Sequence, residues 1–240
     1  MSITMHSAIT VPEGDGVTVK RLMPVGGVRN YDPFVLWDHF DVSGGGFPDH
    51  PHRGFEAVTY LFDGGMNHAD NLGNVGTIHA GGAQRFTAGR GLVHSEFPDG
   101  RAHGIQLWIN LAKALKAVDP AYRQVEADEI PEVTENGVSI RTIVGESGAI
   151  SLYTDVEYLE IRMAGDSKLQ RALPSGFRGF IYAVEGQANI DDEPLNSGEA
   201  AFIENQSQIA LQSSEEGARL MWCFGRPHHE PIHQHGPFVD

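Results

Sequence analysis

Two short segments carry the residue types that hold metal ions. His50-Pro51-His52 places two imidazoles two positions apart, and His94-Ser95-Glu96 repeats that spacing with a carboxylate in the second place. Residues i and i+2 of a strand project from one face, so each pair converges. Two such pairs on facing strands offer three nitrogens and one oxygen to a single cation. Neutral imidazole and carboxylate together suit divalent transition metals. Six-coordinate binding through His50, His52, His94 and Glu96 leaves up to two positions for water, a substrate oxygen or dioxygen. The chain has 12 histidines, and most histidines bind nothing; the weight lies on the doubled pattern, since one His-x-His is common.

Such convergence needs a strand-rich scaffold, and the chain reads as one. Its 29 glycines punctuate short strand-like runs,. Glu56 to Phe62 is expected to be a strand that stops at Asp63-Gly64-Gly65, with another turn at residues 70–74. Gly104 to Asn110 alternates apolar and polar residues after its glycine, as a half-buried strand does. Further strands are expected at 138–144, 156–163, 177–184, 199–203, 208–211 and 218–224. One segment, Leu111 to Val118, has a helical pattern that ends before Asp119-Pro120.

An internal echo organises these runs. Thr59-Tyr60-Leu61-Phe62-Asp63-Gly64 resembles Ile181-Tyr182-Ala183-Val184-Glu185-Gly186, an offset of 122 residues, and the second copy is six residues shorter before its next strand. The expectation is two tandem β domains, residues 1–130 and 131–240, divided within the polar stretch 126–136. Applying these shifts sets Ala172 and Pro174 opposite His50 and His52, and Ala210 and Gln212 opposite His94 and Glu96. The metal site is therefore expected in the N-terminal half alone.

Composition bounds the partners. The net charge is −15, from 32 acidic and 17 basic residues. Such a surface repels phosphate backbones and anionic lipid, so neither nucleic acid nor membrane is expected as a direct partner. Cys223, the lone cysteine, lies in an apolar run and is read as a buried, inert thiol,. No basic region followed by an apolar stretch opens the sequence, and no run is long enough to span a membrane. A soluble, cytoplasmic protein is expected.

Gly44, Glu56 and Gly91 stand around the two pairs as in the cupin motifs. More specifically, Asp32-Pro33-Phe34, His50-Pro51-His52-Arg53-Gly54-Phe55-Glu56, Thr87-Ala88-Gly89-Arg90-Gly91, His94-Ser95-Glu96, Gln106-Leu107-Trp108, Glu230-Pro231 and Gly236-Pro237-Phe238-Val239 resemble the pirin family. That resemblance implies an all-β fold of two tandem cupin barrels (double-stranded β-helix, or jelly roll), a bicupin. It implies iron in the N-terminal barrel on His50, His52, His94 and Glu96, and a metal-free C-terminal barrel. Glu56, not a ligand in that family, is expected to support the ligands. His79 stands where the family usually has proline.

The expected cofactor is one transition-metal ion, Fe(II) by preference, with Mn, Ni, Cu, Co and Zn suited to the same donors. Pirins resemble quercetin 2,3-dioxygenases, which implies a flavonol-like small molecule and O2 as partners. Glu96 is then the catalytic residue, taking the proton of the flavonol 3-hydroxyl. The alternative is an iron-dependent, redox-sensing regulatory protein acting through protein–protein contacts; another cupin small-molecule enzyme, such as an isomerase, would share the same site. Phe47, Phe55 and Phe86 are read first as core and second as pocket wall. His39 and His68 are read as hydrogen-bonded or exposed, Asp70 as a turn residue, and Arg53 and Arg90 as partners of carboxylates or solvent-facing. His228, His229, His233 and His235 are read as an irregular loop without a second metal.

Overall fold

The computed structural model describes residues 2–240 of the chain. It is built almost wholly of strands, as expected, and divides into two compact units. One unit comprises Ile9–Glu129 with His228–Asp240; the other comprises Ile130–Pro227 with the segment ending at Ala8. The expected division into 1–130 and 131–240 thus differs at both chain ends. Ser2–Ser7 pairs antiparallel with Glu199–Glu204, completing the sheet of the second unit. The C-terminal segment lies with the first unit, where Val239 is fully buried among Phe55, Phe86 and Trp108. Among the described residues no helix is long and apolar enough to cross a membrane.

Each unit carries a nine-stranded antiparallel sheet. In the first, the order runs Ala121–Val125, Ala83–Thr87, Phe55–Asp70, Leu92–Asn110, Phe34–Val42, Val17–Met23, Ile9–Glu13. Phe47–His52 also pairs with Leu92–Asn110, and Val75–His79 with Phe55–Asp70.

Three expectations fail locally. The strand from Phe55 does not stop at Asp63-Gly64-Gly65 but continues to Asp70, with register shifts at Leu61/Asp63 and Gly64/Met66. Gly64 adopts φ +75°, and a Cβ there would sit 1.8 Å from Arg101 O, so the glycines serve a bulge rather than a turn. Likewise 208–211 and 218–224 are one strand, Gln208–Gly225. The expected helix at 111–118 is a single 3-10 turn, Lys113–Leu115. Extended backbone at Ala112 interrupts it at the start. Further on, the Lys116 ammonium is drawn inward to Gly54 O, Asn110 Oδ1 and Val239 O. Tertiary bonds outweigh a short stretch of helical propensity.

Alternation along the strands stacks the first unit's interior in layers. Phe55, Ala57, Phe86, Leu92 and Trp108 form one apolar cluster, and Val17, Val19, Phe40, Leu61 and Ala102 form another. Two positions after Ala57 and two before Leu61 comes Thr59; Gln84 precedes Phe86 by two, His94 follows Leu92 by two, and Gln106 precedes Trp108 by two. The period of two therefore sets a polar layer between the apolar ones. In the second unit the partners equivalent by register are apolar. Ile181 pairs with Ala201 and Trp222 as Thr59 pairs with Gln84 and Gln106, and all three join one continuous hydrophobic cluster.

Register also corrects the echo. Ala210 and Gln212 are exposed, whereas Ile209, Leu211 and Ser213 are buried. Leu211 stands across from Leu169 and Ile190 as His94 stands across from His50 and Asp70, while Ser213 faces Ala188 as Glu96 faces His68. A fixed sequence shift slips by one residue on this strand, and one residue reverses the face.

Candidate metal centre

The two sequence pairs meet through backbone register. Phe47–His52 and Leu92–Asn110 pair antiparallel with His50 directly opposite His94. The ring centroids of His50 and His94 lie 4.4 Å apart, those of His50 and His52 4.5 Å, and those of His52 and His94 4.9 Å. One nitrogen from each of the three falls within 4.8 Å of the others.

The outer nitrogens are already engaged. His50 Nδ1 lies 2.8 Å from Pro48 O, and His52 Nδ1 lies 3.3 Å from Pro237 O. A carbonyl oxygen only accepts, so both Nδ1 atoms carry hydrogen, which makes Nε2 the metal-binding atom of each ring. Both His94 nitrogens are buried without a partner. Burial pushes the His52 imidazole down to about 3, and it lowers that of His94 further still. Each ring is thus held neutral, the form that binds metal. Aromatic neighbours lock the orientations: Phe86 stacks on His52 at 5.4 Å and lies 4.6 Å from His94, and Trp108 meets His52 edge-on at 4.8 Å.

Glu96 is buried in the polar layer. Gln84 Nε2 donates to its Oε1, and Thr59 Oγ1 lies 3.5 Å away. Burial pushes the carboxyl up to about 7, although both hydrogen bonds oppose this,. At this spacing Glu96 groups with His94 and His68, while His50 and His52 group with His94. His94 belongs to both triads. His68, expected as hydrogen-bonded or exposed, is hydrogen-bonded to Asp70 and lies inside the barrel. His68 is buried, stacks on Tyr122 at 4.2 Å, and sits opposite Glu96 in register. The signal available was the alternation His68-x-Asp70 on a strand, obscured by the glycines expected to end it. Tyr122, whose hydroxyl donates to Gln84 Oε1 at 3.0 Å, had no sequence signature at all.

A cavity of about 1050 Å³ opens onto this cluster. His50, His52, Glu96, Thr59 and Gln106 line it together with Trp108, Phe40, Leu36 and Met66. Phe47 also lines it, whereas Phe55 and Phe86 are fully buried against the histidines. Ile232 to Pro237 form a further wall. Arg21 is not free to meet a ligand there, since it forks onto Asp38 at 2.6 and 2.7 Å and also bonds Glu13.

Other expected residues fall outside the cluster. Glu56 is fully buried and accepts from Thr87 Oγ1 at 2.8 Å. Arg53 pairs with Asp240 and Arg90 with Asp119, all at the surface. His39 is buried with its Nε2 2.8 Å from His103 Nε2. Backbone N–H groups of His228 and His229 donate to Asp32, and His233 and His235 line the cavity wall. Cys223 is buried.

Known proteins resemble this chain in sequence and fold. The pirin profile matches residues 16–109, and the pirin C-terminal cupin domain matches residues 158–240. Pirin from Mus musculus is 40% identical over 95% of this chain and 83% of its own length. The chain belongs to the pirin family. Its structure resembles that of quercetin 2,3-dioxygenase from Acinetobacter baumannii, with a TM-score of 0.88 and 28% identity over 98% of this chain and 90% of the other. A bacterial pirin from Escherichia coli in complex with nickel(II) shares the fold, at TM-score 0.78 and 19% identity over 94% and 99% of the two chains. The two units are accordingly the two cupin barrels of a pirin, and the three-histidine cluster lies in the N-terminal one.

The donor set fits a transition metal. Orphaned, buried and neutral imidazole nitrogens cost stability unless something binds them. Ligand histidines commonly anchor the opposite nitrogen on an oxygen, as His50 and His52 do here.

Proposed function

We propose that this chain holds one transition-metal ion through His50, His52, His94 and Glu96, and opens a flavonol-like ring with dioxygen. Iron(II) is the preferred ion; manganese, nickel, copper, cobalt and zinc suit the same donors. The observation that carries this reading is the convergence of the imidazoles of His50, His52 and His94, the first two of which line a roomy cavity. The likeness to a quercetin 2,3-dioxygenase supports the choice of substrate, and the nickel complex of a family member supports the choice of cofactor. When bound, the metal would lower the pKa of a hydroxyl placed on it and supply the electron chemistry that dioxygen requires.

The chain's own residues do the rest. Trp108, Phe40, Leu36 and Met66 offer apolar walls to a flat aromatic ligand,. Glu96 takes the proton of the substrate hydroxyl. With its carboxyl raised to about 7, it is poised between its two forms near neutral pH,. Gln84 and Thr59 fix its direction.

Elemental analysis followed by oxygen uptake with quercetin tests this reading. One equivalent of iron with uptake supports it. Glu96→Gln with metal retained should reduce turnover by about 100-fold or more, and retained turnover would remove Glu96 from the base role. Iron without uptake for any flavonol would overturn the dioxygenase reading and leave the regulatory one.

A further inference from the structure

His68 shows the features that mark His50 and His52 as ligands, on the opposite side of His94. Its Nε2 lies 3.2 Å from Asp70 Oδ2, and its Nδ1 is buried with no partner. Asp70 is itself pinned: Oδ1 accepts from the backbone N–H groups of Leu72 and Asn74, and Asn74 Nδ2 reaches both carboxylate oxygens. Three histidines of this barrel thus anchor one nitrogen on an oxygen and present the other bare: His50 on Pro48 O, His52 on Pro237 O, and His68 on Asp70. A carboxylate behind an imidazole is the strongest such support, because it fixes the tautomer and raises the ring's basicity. Tyr122 stacks on the His68 ring at 4.2 Å and holds its plane.

We propose that His68 is a metal ligand, and that the barrel offers one ion two overlapping positions that share His94. The outer position uses His50, His52 and His94. The inner one uses His68, His94 and Glu96, whose donor atoms also lie within 4.8 Å of one another. Both nitrogens of His94 lack partners, so neither is committed to another group. The inner donor set, two imidazoles and one carboxylate, takes the same class of borderline divalent ions as the outer. An ion at the inner position would leave His50 and His52 facing the cavity and would keep Glu96, the fourth ligand of the proposed site. The inference rests on the reading of a metal at this cluster, and extends it to a residue outside the four expected ligands.

Cobalt(II) binding to the full chain tests it, by calorimetry together with an imidazole count from X-ray absorption. The decisive variant is His50→Ala/His52→Ala, which leaves His68 untouched. If only the outer position exists, one imidazole remains and binding falls to the level of His94→Ala. If His68 is a ligand, the variant still takes one equivalent, with two imidazoles counted and affinity reduced on the order of 10- to 100-fold. Adding His68→Gln should then abolish binding, and Asp70→Asn should weaken it about tenfold. Near-ultraviolet circular dichroism of the metal-free variants reports folding. Should the double variant unfold, His50→Ala with and without His68→Gln gives the same comparison. Cobalt binding by wild type, but none by the double variant beyond that of His94→Ala, overturns the inner position and leaves the outer one standing. Failure of wild type itself to take cobalt overturns the metal reading as a whole.

Discussion

His50 and His94 are register partners on adjacent antiparallel strands, with their rings 4.4 Å apart. Their approach is fixed by the backbone pairing of the two strands. The barrel therefore keeps a preorganised cluster of imidazoles, with the buried nitrogens of His94 unsatisfied at a standing cost,.

Removing His94 separates that cost from its use. His94→Ala takes away the donor common to both triads and also two buried nitrogens without partners. Metal content measured by elemental analysis should fall from one equivalent to under about a tenth. The unfolding midpoint of the metal-free protein should stay level or rise, since the loss of ring packing is offset by the loss of desolvated nitrogens. A large fall in that midpoint would show that the ring stabilises the apo fold.

Glu96 gives the metal-free protein a pH signature. Its carboxyl is raised from 4.5 to about 7 by burial, so the folded state holds the proton more tightly than the unfolded state. The resulting stability is complete below pH 4.5 and is lost as pH rises through 7. Glu96→Gln abolishes this titration. With chelator present, wild type should therefore lose up to about 3 kcal/mol relative to the variant between pH 4.5 and 8. Denaturant unfolding at a series of pH values reads the difference; parallel curves for the two proteins would mean an ordinary carboxyl.

The C-terminal segment supports the site from behind. Pro237 O meets His52 Nδ1, Val239 is buried in the apolar layer, and Arg53 faces Asp240 at the surface. Gly54 has φ +85°, and a Cβ there would come within 1.8 Å of Val239 O. Gly54→Ala should dislodge the segment and weaken metal binding roughly tenfold through the loosened His52. Val239→Ala should cost about 2 kcal/mol by leaving a cavity. Arg53→Ala, which removes an exposed pair only, should change metal affinity little. Calorimetric titration across the three variants gives the ranking, and equal effects from all three would contradict it.

The second barrel should resist conversion. Trp222 pairs with Ile181 where Gln106 pairs with Thr59 in the first, and its Nε1 donates to Glu157 at 3.1 Å. Trp222→Gln should cost about 3 kcal/mol or more in unfolding free energy. Metal content should stay at one equivalent, because Leu169, Leu211 and Ser213 supply no imidazole or carboxylate to that interior. A second bound equivalent would refute this account of what separates the barrels.

The sequence by itself determined the strand-rich fold, the doubling of the chain and the two segments that converge. These depend on period-two alternation, turn residues and ligand spacing, all of which are local. It did not determine the placement of the chain ends, because pairing of Ser2–Ser7 with Glu199–Glu204 and burial of Val239 beside Phe55 are contacts between residues nearly two hundred positions apart. Nor did it reveal that His68 faces Glu96: Asp70 does cap the turn the sequence marks, but a bulge at Gly64 carries the strand onward and brings His68 into register. Only the tertiary structure decided which polar side chains share the buried layer. Thr59, Gln84, Gln106 and Tyr122 are unremarkable singly, and become a support for Glu96 because strand register brings them to one height in the barrel.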